Sequence, residues 1–198
     1  MNRKFLALAF AISGFTALVY EVVWSRPLQL IFGSTIYAVS TILTTFFVGF
    51  SIGSYYFRHL ADHSKNPLAL FGIIQIGIGV YGLIILWLFK IITPLYLTLN
   101  SIFLQFILLF LIIIIPATLF GASWPIVNKA YIKKNRIGKD SGKLYSANSF
   151  GSFLGPIAAG FILIPVFGIK ATSILVSILI ISSGILTITF SKGGKNEN

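Results

Sequence analysis

Cysteine is absent from the 198 residues, which removes disulfides, thiolate metal sites and thiol nucleophiles together. Acids are almost absent: Glu21, Asp62, Asp140 and Glu197 are the only four. His59 and His63 are the only histidines. Paired catalytic carboxylates, a nucleophile–base pair and a cluster of metal ligands therefore lie outside what the chain offers. No catalytic residue, cofactor or metal is expected, and the chain by itself is not read as an enzyme. Charge of either sign is scarce, at 10 % of residues against roughly 25 % in a soluble domain.

What is present is apolar. Hydrophobic residues make up 57 % of the chain, and mean hydropathy is +0.95. A soluble fold of this length has too small a core to hide that much apolar surface, so the solvent is lipid. The composition gives an all-α, polytopic integral membrane bundle. Six apolar segments are legible, at about Phe5–Phe32, Ile36–Phe57, Leu68–Phe89, Leu95–Val127, Leu144–Phe167 and Ala171–Phe190. Each reaches the roughly 20 residues that cross a 30 Å hydrocarbon layer. The first and fourth are too long for one straight span, and Pro27 and Pro116 mark places for a kink or an early end. Residues 1–191 read as one transmembrane domain and 192–198 as a short basic polar tail.

The net charge of +11 would suggest nucleic acid in a soluble protein. Its distribution points to topology instead, and no nucleic-acid partner is expected. Of fifteen Lys and Arg, only Lys90 and Lys170 face one side, with Arg26 nearby, and the other twelve face the opposite side. The positive-inside rule then puts both termini in the cytoplasm and requires an even number of spans, in a multi-pass protein of the cell (inner) membrane. The start, Asn2-Arg3-Lys4 before Phe5–Val19, has the outline of a signal peptide. The apolar stretch continues past Glu21, however, and five spans follow, which favours an uncleaved first helix.

Glu21 is the most informative side chain. Counted at about 1.5 Å per residue, it lies well inside the bilayer, where a carboxylate is costly unless paired, protonated or wet. It is either a polar clasp between helices or a site for a cation or proton. Arg26 follows five residues later, some 140° around a straight helix, so a direct pair needs a distortion before Pro27. Ser40, Thr41, Thr44, Thr45, Gln75, Asn100, Gln105, Asn148 and Ser149 are further polar groups within the spans. They serve either as interhelical glue or, with Tyr20, Glu21 and Trp24, as the lining of a shallow cavity. The candidate site residues are thus Tyr20, Glu21, Trp24, Arg26, Thr41, Gln75 and Asn148. The basic run Lys129, Lys133, Lys134, Arg136, Lys139 and Lys143 is a candidate dock for anionic lipid headgroups or an acidic cytoplasmic partner.

Two motifs fail on context. Gly77-Ile78-Gly79-Val80-Tyr81-Gly82 spells a dinucleotide fingerprint but lies within an apolar helix, without a preceding strand. Its glycines, like Gly49 and Gly53, are better read as close-approach points between helices. His59, Asp62 and His63 sit together at a helix end, but two histidines make a poor metal site.

The stretch Ser13-Gly14-Phe15-Thr16-Ala17-Leu18-Val19-Tyr20-Glu21-Val22-Val23-Trp24-Ser25-Arg26, continued by Phe32-Gly33-Ser34-Thr35-Ile36-Tyr37-Ala38, resembles the membrane domain of membrane-bound spermidine synthase-like proteins. Gly49–Asp62 and Leu144–Gly168 are similar to the same domain. That family carries an aminopropyltransferase-like domain whose glycine-rich and acidic residues are missing here. The resemblance therefore implies a non-catalytic membrane module working with a separate cytoplasmic enzyme. A second resemblance is to one six-helix half of a major facilitator transporter. It rests on Gly151-Ser152-Phe153-Leu154-Gly155-Pro156-Ile157-Ala158-Ala159-Gly160 and on the loop Arg58–Pro67, where Arg58 and His63 depart from the pattern. It implies a half-size transporter acting as a homodimer on a small, cationic or polyamine-like substrate. An accessory subunit of a larger membrane complex is the third reading.

Overall fold

The structure is a computed structural model and describes residues 3–99 and 101–193, so Asn100 and the tail from 194 lie outside the described residues. Every described element is helical. Helix α1 is Arg3–Phe32, α2 Thr35–His63, α3 Pro67–Thr98, α4 Ile102–Tyr131, α5 Ile137–Ala158 and α6 Ile164–Gly193. A short 3₁₀ turn, Lys134–Arg136, precedes α5, and a π-helical turn, Ala159–Leu163, joins α5 to α6.

Five helical stretches are long and apolar enough to cross a membrane, and the last is a run of 55 residues, Ile137–Ser191. A straight rod of that length would measure ~80 Å, more than twice a hydrocarbon layer. The rod is not straight. Gly168 takes φ 78° and ψ 170°, a conformation that L side chains rarely adopt, and it divides the run into two spans. The chain therefore makes six passes.

Helix α5 starts seven residues before the expected Leu144 and α2 ends six past the expected Phe57, and the boundary between the third and fourth spans is elsewhere than the sequence reading put it. Residues 95–98, read from the sequence as the start of the fourth span, continue α3 together with Lys90–Pro94. Pro94 does not end the helix, and Gln105 Nε2 of α4 donates to the Leu99 carbonyl at 2.9 Å. Neither Pro27 nor Pro116 ends its helix. A proline in a membrane helix is tolerated when a neighbour satisfies the carbonyl it orphans, and α4 meets that condition twice. Tyr81 donates to the Ile112 carbonyl at 2.8 Å, four residues before Pro116. Ser54 donates to the Gly121 carbonyl at 3.0 Å, four before Pro125.

Helix α1 packs along α5, α2 along α4 and α3 along α6, while α3 also meets α4 and α1 meets α6. Exchanging α1–α3 for α4–α6 leaves these pairings unchanged, as expected of two three-helix repeats. Glycines bring the first two pairs close. A Cβ on Gly53 or Gly121 would strike the facing backbone of α4 or α2, and one on Gly151 the Ala11 carbonyl of α1. The core is largely apolar, and so is the outer surface. Leu30, Phe47, Trp87 and Phe161 are exposed, whereas Thr172, Ser173, Ser177, Ser183, Thr187 and Ser191 turn the polar side of α6 inward.

Candidate functional site

Four helices leave a cavity between them. Helix α1 contributes Phe10, Ser13, Gly14, Ala17 and Leu18, a spacing that lays all five on one face. From α2 come Phe50 and Ser54, from α4 Phe120, Gly121 and Trp124, and from α5 Asn148 and Ser152. The volume is about 180 Å³, close to that of a void that admits one benzene-sized ring. It sits in the half of the bundle where α1 begins and α4 ends.

The lining has two characters. Phe10 and Trp124 stand with ring centroids 5.6 Å apart, and Phe50 and Phe120 at 6.4 Å, forming an aromatic wall. The lining also holds Ser13, Asn148 and Ser152, which make no hydrogen bond within the described residues. A Cβ at Gly14 would lie 2.5 Å from the Asn148 carbonyl and 2.7 Å from both Asn148 Oδ1 and Ser152 Oγ, so glycine there lets α1 approach α5 closely at the cavity. Ser54 is spent on the Gly121 carbonyl. No lining residue is charged. The arrangement can hold a neutral ring by stacking and orient it through a hydroxyl and an amide.

The sequence-derived candidates scatter around this cavity. Asn148 lines it. Glu21 lies on the same face of α1, seven residues beyond Gly14, half-buried and without a hydrogen bond or ion pair among the described residues. It makes no pair with Arg26, which is exposed, because α1 stays helical through Pro27. Tyr20 and Trp24 are fully buried and stack with centroids 4.8 Å apart. Tyr20 OH shares a 2.6 Å hydrogen bond with Ser177 Oγ of α6, so this pair backs the aromatic wall without lining the cavity. Gln75 Nε2 donates to the Ala9 carbonyl at 3.0 Å, tying α3 to α1. Thr41 donates to the Tyr37 carbonyl of its own helix at 2.8 Å.

The basic run also divides. Lys129 Nζ donates to the Asp62 carbonyl at the end of α2, 3.3 Å away. Lys133 and Arg136 lie on the α4–α5 connection with Lys134, and Lys139 and Lys143 are exposed on the first turns of α5. Phe10, Ser13, Phe50, Ser54, Phe120, Trp124 and Ser152 carry no mark in the sequence, since serine and aromatic residues are common throughout the spans. The usable signal is the i, i+4 spacing of Phe50 with Ser54, and of Asn148 with Ser152.

The family model described as Major Facilitator Superfamily matches residues 6–197. The chain belongs to that superfamily. The match favours the half-bundle resemblance and lends no support to the spermidine synthase-like one. No curated protein and no solved structure matches the sequence. As a major facilitator protein the chain is transporter-like and multi-pass, and its lipid-facing helices contact the bilayer.

Proposed function

We propose that this major facilitator protein is a half-size transporter. Two copies face each other across the flank formed by α1, α2, α4 and α5, with their termini in the cytoplasm. The observation that carries the reading is the cavity on that flank. Alone, at about 180 Å³, it is smaller than the roughly 300–1,000 Å³ of ordinary small-molecule sites. Two facing copies together provide ~360 Å³, within that range. Ser51 and Tyr55 of α2, next in sequence to the lining residues Phe50 and Ser54, and Ser146 of α5, two residues before Asn148, are exposed. Polar side chains on an outer helix face are costly in lipid and favour coverage by protein.

The substrate is a small neutral molecule with an aromatic or similarly flat apolar body and hydrogen-bonding groups. A lining without charge favours it over a cationic, polyamine-like one. Glu21, one turn beyond the cavity on the same face, is suited to coupling transport to protons. The reading with a separate cytoplasmic enzyme has only its resemblance behind it.

The test uses the natural absence of cysteine. Ser51→Cys and Ser146→Cys, made singly, are expected to cross-link into dimers in the membrane, and Ile174→Cys on exposed α6 is not. Equal cross-linking at all three positions, or at none, overturns the proposed face.

A further inference from the structure

The start of α1 meets the α4–α5 connection in a second, open cavity of about 470 Å³, lined by Arg3, Lys133, Asn135 and Arg136. Three of the four lining side chains are cationic. The one nearby carboxylate, Asp140, is occupied: its Oδ2 pairs with Arg3 Nη2 and accepts the Lys133 backbone N–H at 3.2 Å. Arg3 Nη2 also donates to the Tyr131 carbonyl at 2.7 Å, while its Nε is enclosed without a partner. Among the described residues, the side chains of Lys133 and Arg136 have no carboxylate partner. Arg136 occupies the N-cap position of α5 with no side-chain cap, so the positive end of that helix adds to the field. Three cations against one carboxylate leave an unneutralised double positive charge at this open, polar corner.

We infer that this corner binds a phosphate group, held by Lys133, Arg136 and the outward edge of the Arg3 guanidinium. Guanidinium and ammonium groups around a helix N-terminus match a tetrahedral oxyanion in both charge and hydrogen-bond geometry. The corner lies where the helices leave the apolar layer, at the depth of phospholipid headgroups, so the lipid phosphodiester is one source and a soluble phosphate the other. The site is separate from the cavity between α1, α2, α4 and α5 and does not depend on transport.

The experiment uses the full chain in two kinds of lipid nanodisc, phosphatidylcholine alone and phosphatidylcholine with phosphatidylglycerol. Native mass spectrometry then counts retained phosphatidylglycerol, and inorganic phosphate is titrated into the phosphatidylcholine sample while thermal unfolding is followed. Lys133→Gln/Arg136→Gln removes two cations and leaves the Arg3–Asp140 pair intact. One retained phosphatidylglycerol, weakened about ten- to thirty-fold in the double variant, is the expected result. An upward shift of the unfolding midpoint with inorganic phosphate, lost in the variant, supports the same site with a soluble source. Equal retention in wild type and variant, or no response of the wild type to either phosphate, overturns the assignment. If the double variant does not fold, selective retention of phosphatidylglycerol over phosphatidylcholine by the wild type decides, and its absence overturns the site.

Discussion

The Tyr81 hydroxyl donates to the Ile112 carbonyl across 2.8 Å, filling the acceptor that Pro116 leaves without its helical donor. Ser54 does the same for Pro125 through the Gly121 carbonyl. Two neighbouring helices, α3 and α2, thus complete the backbone of α4, which explains how a helix with two internal prolines crosses the bundle unbroken.

Each of these bonds has a measurable consequence. Tyr81→Phe and Ser54→Ala are expected to lower stability by about 1 kcal/mol each. The Pro116→Ala substitution restores a backbone N–H at that position, which then supplies the Ile112 carbonyl from within α4. In that background Tyr81→Phe should cost close to nothing. Unfolding of the wild type, the two single variants and the double variant in a double-mutant cycle reads the difference. An undiminished Tyr81→Phe penalty in the Pro116→Ala background contradicts the compensation.

The three unpartnered polar groups of the cavity set a second expectation. Asn148→Ala and Ser152→Ala each remove one hydrogen bond to a bound substrate, weakening binding about five- to tenfold with little change in folding. Substrate-dependent changes in Trp124 fluorescence measure the affinity. Gly14→Ala would set a methyl 2.5 Å from the Asn148 carbonyl of α5 and should lower stability by forcing α1 and α5 apart, which thermal unfolding measures.

How much of this is legible in the sequence varies by residue. The six passes follow from apolar length and the distribution of Lys and Arg, both of which are local properties. The α3–α4 boundary does not. Lys90 and Pro94 look like a helix end in isolation, whereas Thr93 Oγ1 bonds the Phe89 carbonyl at 2.7 Å and the helix continues. Asn148 is recognisable as a polar group within a span. Its neighbours across the cavity, Ser13 and Trp124, are far from it in sequence and ordinary in type, so only packing brings them together. Tyr20 and Trp24 have the polar tips of lining residues, yet Tyr20 bonds Ser177 of α6 and Trp24 packs on Phe46 of α2.

Glu21 offers a third test. Glu21→Gln keeps the size and hydrogen-bonding capacity of the side chain but cannot release a proton. Folding and substrate binding should persist, while uptake into proteoliposomes loses its response to an imposed pH gradient. Uptake that still follows the gradient in the variant removes Glu21 from the coupling.

The Arg3–Asp140 pair precedes the apolar part of α5, which begins at Leu144. The Arg3 guanidinium, helped by the Lys133 N–H, holds the Asp140 carboxyl below its ordinary value. A depressed folded-state value means the pair's stabilisation is fully present above the unfolded carboxylate value of about 3.9. It is lost as pH falls through the lower folded-state value. Asp140→Asn should therefore reduce thermal stability at pH 7, and the difference from wild type should shrink as the sample is acidified below about pH 4. A difference that does not change with pH contradicts the ion pair.

The central claim is that two copies complete one site. Counting copies of a singly labelled full-length chain by stepwise photobleaching in lipid bilayers tests it most directly. The account predicts two bleaching steps at protein densities where chance overlap is negligible. A population bleaching in a single step while still binding substrate contradicts it.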